Sequence, residues 1–250
     1  MEKSGCEKKM YYELLIVGMN KPSRTFVIGD IHGAYKALIQ CLERSEFDHG
    51  SDRLISLGDA CDGWPEVERV FHELCSIPNL VYIIGNHDEW ALNWADTGEA
   101  PYVWLMQGGK STMDSYPKGI IPEHHRLLTG AEEYYIENDQ LFVHGGIDPG
   151  RPIDEQERET FIWDRNLVNL ALNKKELGIE EQLSHYTRIF VGHTPTLNYG
   201  SDVPIKACEV WMMDTGASYY GRLSMMDLDT GTIYQSDPVP ELYPDHPGRM

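Results

Sequence analysis

Disulfide and zinc-knuckle chemistry are the first things this sequence lacks. Its five cysteines (Cys6, Cys41, Cys61, Cys75, Cys208) are odd in number and no two form a C-x-x-C pair. Neither a disulfide framework nor a structural zinc site is expected, and a reducing, cytoplasmic setting fits. Basic residues are scarce as well: 21 Lys and Arg stand against 40 Asp and Glu, a formal net charge of -19. A surface of that sign repels nucleic-acid polymers and anionic membranes, so neither is an expected partner. Long hydrophobic runs are missing from the N-terminal stretch, where Leu14 to Val17 is too short for a signal-peptide core or a membrane span. No internal repeat or low-complexity tract is visible. At 250 residues, 41% hydrophobic and 24% charged, the chain has the composition of a soluble folded protein with one large core or two modest ones.

The organisation reads as three parts. Residues 1–21 are expected to be an N-terminal extension, 22–236 a catalytic domain, and 237–250 an extended tail. Four prolines in that tail rule out a central strand or a helix interior. Within the domain, short aliphatic runs each end abruptly in glycine or a polar residue: Thr25 to Asp30, Arg53 to Asp59, Leu80 to Asn86, Leu141 to His144, and Arg188 to His193. Such runs predict buried strands. Helical periodicity separates them. Val67, Val70, Phe71 and Leu74 share one face after Pro65, as do Leu38, Cys41 and Leu42 over 34–43. After residue 205 the rhythm turns hairpin-like, with runs over 207–214, 222–229 and 232–234. The expected fold is α/β: a mainly parallel sheet joined by a second one after 205, giving a layered α/β/β/α sandwich of two mixed sheets flanked by helices.

Ligands of such sheets gather beyond the carboxyl ends of the strands, and there the sequence concentrates its chemistry. Successive runs end in Gly29-Asp30-Ile31-His32-Gly33, Gly58-Asp59-Ala60-Cys61-Asp62-Gly63, Gly85-Asn86-His87-Asp88, His144-Gly145-Gly146 and Gly192-His193-Thr194-Pro195. One D-x-H on a loop matches by chance. Five loops in a row presenting Asp, Asn or His point to a metal site of mixed oxygen and nitrogen donors. The other histidines (His49, His72, His124, His125, His185, His246) lack strand-end placement and are assigned nothing.

In order and spacing these blocks resemble the phosphoprotein phosphatase branch of the calcineurin-like metallophosphoesterases, over about residues 24–232. Within that branch the similarity is greatest to small bacterial and phage-type enzymes, which include serine/threonine phosphatases and diadenosine tetraphosphate hydrolases. The stretch 104–112 resembles their loop after the G-N-H block. The resemblance implies that Asp30, His32 and Asp59 hold one divalent ion and that Asp59, Asn86, His144 and His193 hold a second, with Asp59 bridging. It implies a hydroxide activated by the two metals, His87 as proton donor to the leaving group, and Asp62 orienting and supporting that imidazole. Asp62 could instead cap the helix that follows Pro65. Asp88 is expected to be structural. Arg165, in Phe161-Ile162-Trp163-Asp164-Arg165, matches a family arginine and is the candidate phosphate clamp, with Asn86 also at the substrate.

Two departures matter. The family often carries Arg after the second aspartate of G-D-x-x-D-R-G, where this chain has Gly63 and then Trp64, so one guanidinium is missing, with another cation or Trp64 as candidates to compensate. G-H-T-P replaces the G-H-x-H of the wider superfamily, which favours the phosphoprotein phosphatase branch. The expected activity is hydrolysis of phosphate monoesters on a phosphorylated protein or small phosphorylated substrate. Dinucleotide polyphosphate hydrolysis is the alternative. A catalytically silent phosphate-binding protein, suggested by Gly63, is the reading from another class. Mixed donors suit Mn, Fe, Zn or Co, with manganese the first choice.

Overall fold

Along β1 (Thr25–Ile28) Phe26 and Ile28 face one apolar cluster and Val27 faces another, and all three are fully buried. This period-two alternation between two covered faces repeats in β2 (Arg53–Ser56), where Leu54 and Ile55 diverge. It repeats again in β5 (Gln140–Val143) and β6 (Arg188–Val191), whose Phe142 and Phe190 turn from Leu141, Val143, Ile189 and Val191. A strand apolar on both faces belongs in the middle of a layered structure. The computed structural model, which describes residues 23–179 and 181–249, has that architecture.

Two five-stranded mixed sheets are present. The first runs β10 (Ile233–Gln235), β9 (Ser224–Asp227), β1, β2, β3 (Leu80–Tyr82), with β1, β2 and β3 parallel. The second runs β4 (Tyr134–Glu137), β5, β6, β8 (Val210–Met212), β7 (Ile205–Ala207), with β5, β6 and β8 parallel. Between them Val27, Ile55, Ile83, Phe142, Phe190 and Met226 form the central layer, and the rings of Phe142 and Phe190 stack 5.0 Å apart. Truncating either ring to alanine would cost about 3–5 kcal/mol. Helices α1 (Tyr35–Arg44), α2 (Val67–Cys75) and α3 (Asn86–Thr97) cover the outer face of the first sheet, and the helix Asn166–Glu176 covers the second.

The layered α/β/β/α fold stands, and the two predicted helical faces are the buried ones. The sheet membership expected from the sequence needs correction. Runs 141–144 and 188–193 belong to the second sheet, not the first. The strands after 205 divide, β7 and β8 joining the second sheet and β9 and β10 the edge of the first. The run 207–214 is also broken by a tight turn at Cys208 (φ 51°), which separates β7 from β8. Local patterning marks a strand but not its neighbour, because pairing is decided by long-range burial.

Residues 237–249, expected to be extended, carry a one-turn helix, Val239–Leu242, and lie against the body of the molecule. Residues 1–22, including all of the expected extension, are outside the described residues. Among the described residues no helix is long and apolar enough to cross a membrane.

Candidate active site

All five strand ends meet at one cavity of about 430 Å³, lined by Asp30, His32, Asp59, Asn86, His87 and His193 among others. His144 lies fully buried just behind them. The two sheets are joined at this point. The carboxylate of Asp30, from the first sheet, accepts the backbone N–H of His193, from the second, at 3.0 and 3.2 Å. Likewise the His144 ring Nδ1 donates to the carbonyl of Leu57 at 2.7 Å.

Each imidazole is oriented by the hydrogen bond on its other nitrogen, an arrangement that suits metal ligation. His32 donates from Nδ1 to the Cys61 carbonyl at 2.9 Å, which turns Nε2 toward Asp59 Oδ2 at 3.6 Å. With Leu57 holding Nδ1, His144 Nε2 stands 3.4 Å from the same Asp59 oxygen and 3.1 Å from Asn86 Oδ1. His193 Nδ1 faces the same cluster, 2.8 Å from Asn86 Oδ1, and its Nε2 is buried with no hydrogen-bond partner among the described residues. With Nδ1 committed to Leu57, the His144 Nε2 lone pair faces two acceptor oxygens, a buried arrangement that is costly unless a Lewis acid takes all three. Two sets of donor atoms lie within 4.8 Å of one another: His32, Asp59 and His87, and Asp59, His144 and His193. Asp59 belongs to both. His87, expected to be a proton donor and not a ligand, thus lies with His32 and Asp59 inside that limit. A pair of divalent cations fits this donor set.

The backbone is bent to produce the site. Non-glycine residues rarely take positive φ, yet His32 (49°), Asp59 (51°), Asp62 (69°) and His193 (62°) all do. Each such residue costs of the order of 1–3 kcal/mol, and their clustering is a mark of functional sites. Close approach adds a demand of its own: a Cβ on Gly85 would collide with the Asp59 carboxylate.

The electrostatics are those of crowded, buried acids. Burial and the neighbouring Asp214 and Asp59 push the Asp30 carboxyl well above its ordinary range. Burial would do the same to Asp59, but the His144, His87 and His32 imidazoles outweigh it and hold that carboxyl well below. Burial opposes a proton on His144, yet Asp59 and Asp30 raise its pKa to about 10. His193 is lowered to about 2 by burial, then by His144 and Arg165. Asp59 is thus the acid of this cluster that stays ionised, as a bridging carboxylate must.

Asp62 and His87 form a tight pair, with His87 Nδ1 donating to Asp62 Oδ2 at 2.5 Å. The Asp62 carboxylate also accepts from Trp104 Nε1 at 2.8 Å and Thr112 Oγ1 at 2.6 Å. Both come from the 104–112 stretch, which is helical with a kink at Gly108. Asp62 does not cap the following helix, whose N-cap is Glu66. Arg165 is exposed and lines the cavity together with Trp163 and Trp90.

Asp214 and Arg249, both near this centre, escaped the sequence reading. Asp214 is buried in the cavity wall beside Asp30, with its pKa raised to about 6 by burial and Asp59. Its signal was available, since it ends the run Val210 to Met213 as the other acids end theirs. Asp88, read only as structural, gathers the backbone of the Asp59 loop. Arg249 reaches the cavity from the proline-rich segment, and no local pattern announced it.

Comparison with known proteins agrees with this geometry. The family model described as calcineurin-like phosphoesterase matches residues 23–221. The serine/threonine-protein phosphatase 2 of Escherichia coli (strain K12) is 39% identical over 213 residues, 80% of this chain and 90% of that protein. The symmetrical bis(5'-nucleosyl)-tetraphosphatase of Pseudomonas entomophila (strain L48) is 26% identical over 271 residues, covering 85% and 93%. A solved structure described as a diadenosine tetraphosphatase superposes with a TM-score of 0.62 at 20% identity, covering 88% of this chain and 95% of its own. At that identity it speaks for the fold alone.

Proposed function

Because the chain belongs to the calcineurin-like phosphoesterase family and is a hydrolytic phosphatase of that metal-dependent family, we propose that it acts on phosphoserine or phosphothreonine in proteins, with two manganese ions, in the cytoplasm. What carries the substrate choice is the likeness to the E. coli serine/threonine phosphatase, the more similar of the two full-length relatives described. The catalytic unit in this reading spans residues 22–236.

Asp30, His32 and Asp59 would hold one cation, and Asp59, Asn86, His144 and His193 the other. When bound, the ions supply an acidified water and Lewis-acid polarisation of the phosphoryl group. Arg165 and Asn86 bind phosphoryl oxygens, the first through a planar guanidinium suited to two parallel hydrogen bonds. His87, as an imidazolium with a proton on each nitrogen, hands the Nε2 proton to the departing oxygen and is left neutral. Asp62, fixed by Trp104 and Thr112, holds Nδ1–H so that Nε2 points into the cavity, and stabilises the imidazolium before it gives up that proton.

A second substrate reading, dinucleotide polyphosphate hydrolysis, is favoured by the full-length tetraphosphatase relative and by the aromatic wall of Trp90 and Trp163, 5.2 Å apart, on which a base could stack. Parallel assays of phosphopeptides and diadenosine tetraphosphate on manganese-reconstituted protein decide between them. Rapid phosphopeptide turnover supports the first reading, and rapid nucleotide cleavage with inert phosphopeptides overturns it.

A further inference from the structure

Residues 237–249 return to the mouth of the cavity and place Arg249 inside it. Their path is anchored throughout. Asp237 pairs with Arg44 at 2.7 Å, and the Val239 N–H donates to the Gly221 carbonyl at 2.9 Å. Tyr243 stacks on Trp64 with ring centres 5.1 Å apart and donates its hydroxyl to Glu66 at 2.6 Å. Trp64 is itself fixed by a 2.7 Å bond from Nε1 to the Ala217 carbonyl. The Arg249 N–H donates to Ser218 at 3.1 Å. The side chain then passes over Gly63 (φ 80°), where a Cβ would lie 3.8 Å from Arg249 Cγ, so a longer side chain at 63 would contend for the same channel. Glycine at 63 and tryptophan at 64 thus provide the opening and the platform for this segment.

The guanidinium lies 5.0 Å from the centre of the Tyr219 ring, donates from Nη1 to His87 Nε2 at 3.0 Å, and donates from Nη2 to Gln107 Oε1. Both of those acceptors are neutral when His87 keeps its single proton on Nδ1, hydrogen-bonded to Asp62. A phosphoryl oxygen is the stronger acceptor, because it carries negative charge opposite the guanidinium and offers two oxygens to parallel N–H bonds, whereas the imidazole and the amide are neutral. We propose that Arg249 is a substrate-binding residue: its guanidinium exchanges His87 for the phosphoryl oxygens of the phosphoester, which it holds together with Arg165. The exchange frees His87 Nε2 to take up from solvent the proton that the leaving oxygen then receives. This rests on the proposed phosphoester hydrolysis, whose phosphoryl group is the anion captured.

The test titrates inorganic phosphate calorimetrically into the manganese-reconstituted full chain and measures KM and kcat on para-nitrophenyl phosphate for wild type, Arg249→Ala and Arg249→Lys. Arg249→Ala is expected to weaken phosphate binding about tenfold or more and to raise KM by a similar factor. Arg249→Lys and added guanidinium ion should each restore part of the loss. Unchanged phosphate affinity in Arg249→Ala overturns the inference. So does a rise in kcat/KM, which would make the segment a plug. A wild type that neither binds phosphate nor turns over the ester removes the proposed function, and this inference with it.

Discussion

The carboxylate of Asp88 accepts the backbone N–H of Asp59 at 2.7 Å, and that bond is one of five made by the same group. Ala60 and Cys61 donate at 3.0 and 3.2 Å, Gly85 at 3.1 Å and the Tyr82 hydroxyl at 2.8 Å. One buried anion therefore fixes the left-handed turn on which Asp59 sits. In Asp88→Asn an amide N–H₂ replaces one acceptor oxygen and faces N–H donors, so at least two bonds are lost. We expect a stability loss of about 3 kcal/mol or more by urea denaturation, together with weaker metal binding. Wild-type stability in this variant would contradict the organising role.

Asp59→Asn should abolish both metal retention and hydrolysis, since Asp59 is the one residue common to both donor groups. Elemental analysis after dialysis and turnover of an aryl phosphate measure the two losses separately. In the wild type, manganese at about a hundred times its dissociation constant should add about 2.7 kcal/mol of stability, seen as a rise in Tm. In Asp59→Asn the rise should largely vanish. Wild-type turnover by the variant would refute the site assignment.

For His87→Asn the expected result is a fall in kcat of about 10²–10⁴ on a phosphopeptide, the usual range for a missing general acid. The fall should be much smaller on para-nitrophenyl phosphate, whose leaving group needs no proton. Metal content is the necessary control, because His87 lies with His32 and Asp59 in one donor group. Equal losses on both esters would assign His87 to the metals rather than to the leaving group.

Far from the cavity, Asp52 is buried and pairs with Arg24 at 2.6 Å. Burial alone would raise its pKa, but Arg24, Ser23 and the Asp48 N–H outweigh this and hold it below the ordinary carboxylate range. A folded-state pKa below the unfolded one means stability that is present above about pH 4 and is lost as the pH falls through the lowered value. Asp52→Asn should therefore be about 2 kcal/mol less stable than wild type at pH 7. The gap should close toward pH 3 and below. Urea midpoints taken in excess chelator check this, and a gap independent of pH would count against the ion pair.

What the sequence determined by itself was whatever is local. Period-two and helical patterning marked the strands and the buried faces of α1 and α2, because side chains alternate or repeat with the backbone geometry. The abrupt polar ends of five strands named Asp30, His32, Asp59, Asn86, His144 and His193, because parallel strands in α/β layers deliver their ends to one side. Only the tertiary structure decided which strands pair, since the choice between sheets rests on contacts remote in the chain. It also decided that Asp88 is a hub for four backbone donors and that Asp214 stands beside Asp30. The clearest case is Arg249: it lies 162 residues from His87 in the chain and 3.0 Å from it in space. No spacing rule links two such positions, and only the packing of Tyr243 on Trp64 and the opening over Gly63 bring them together.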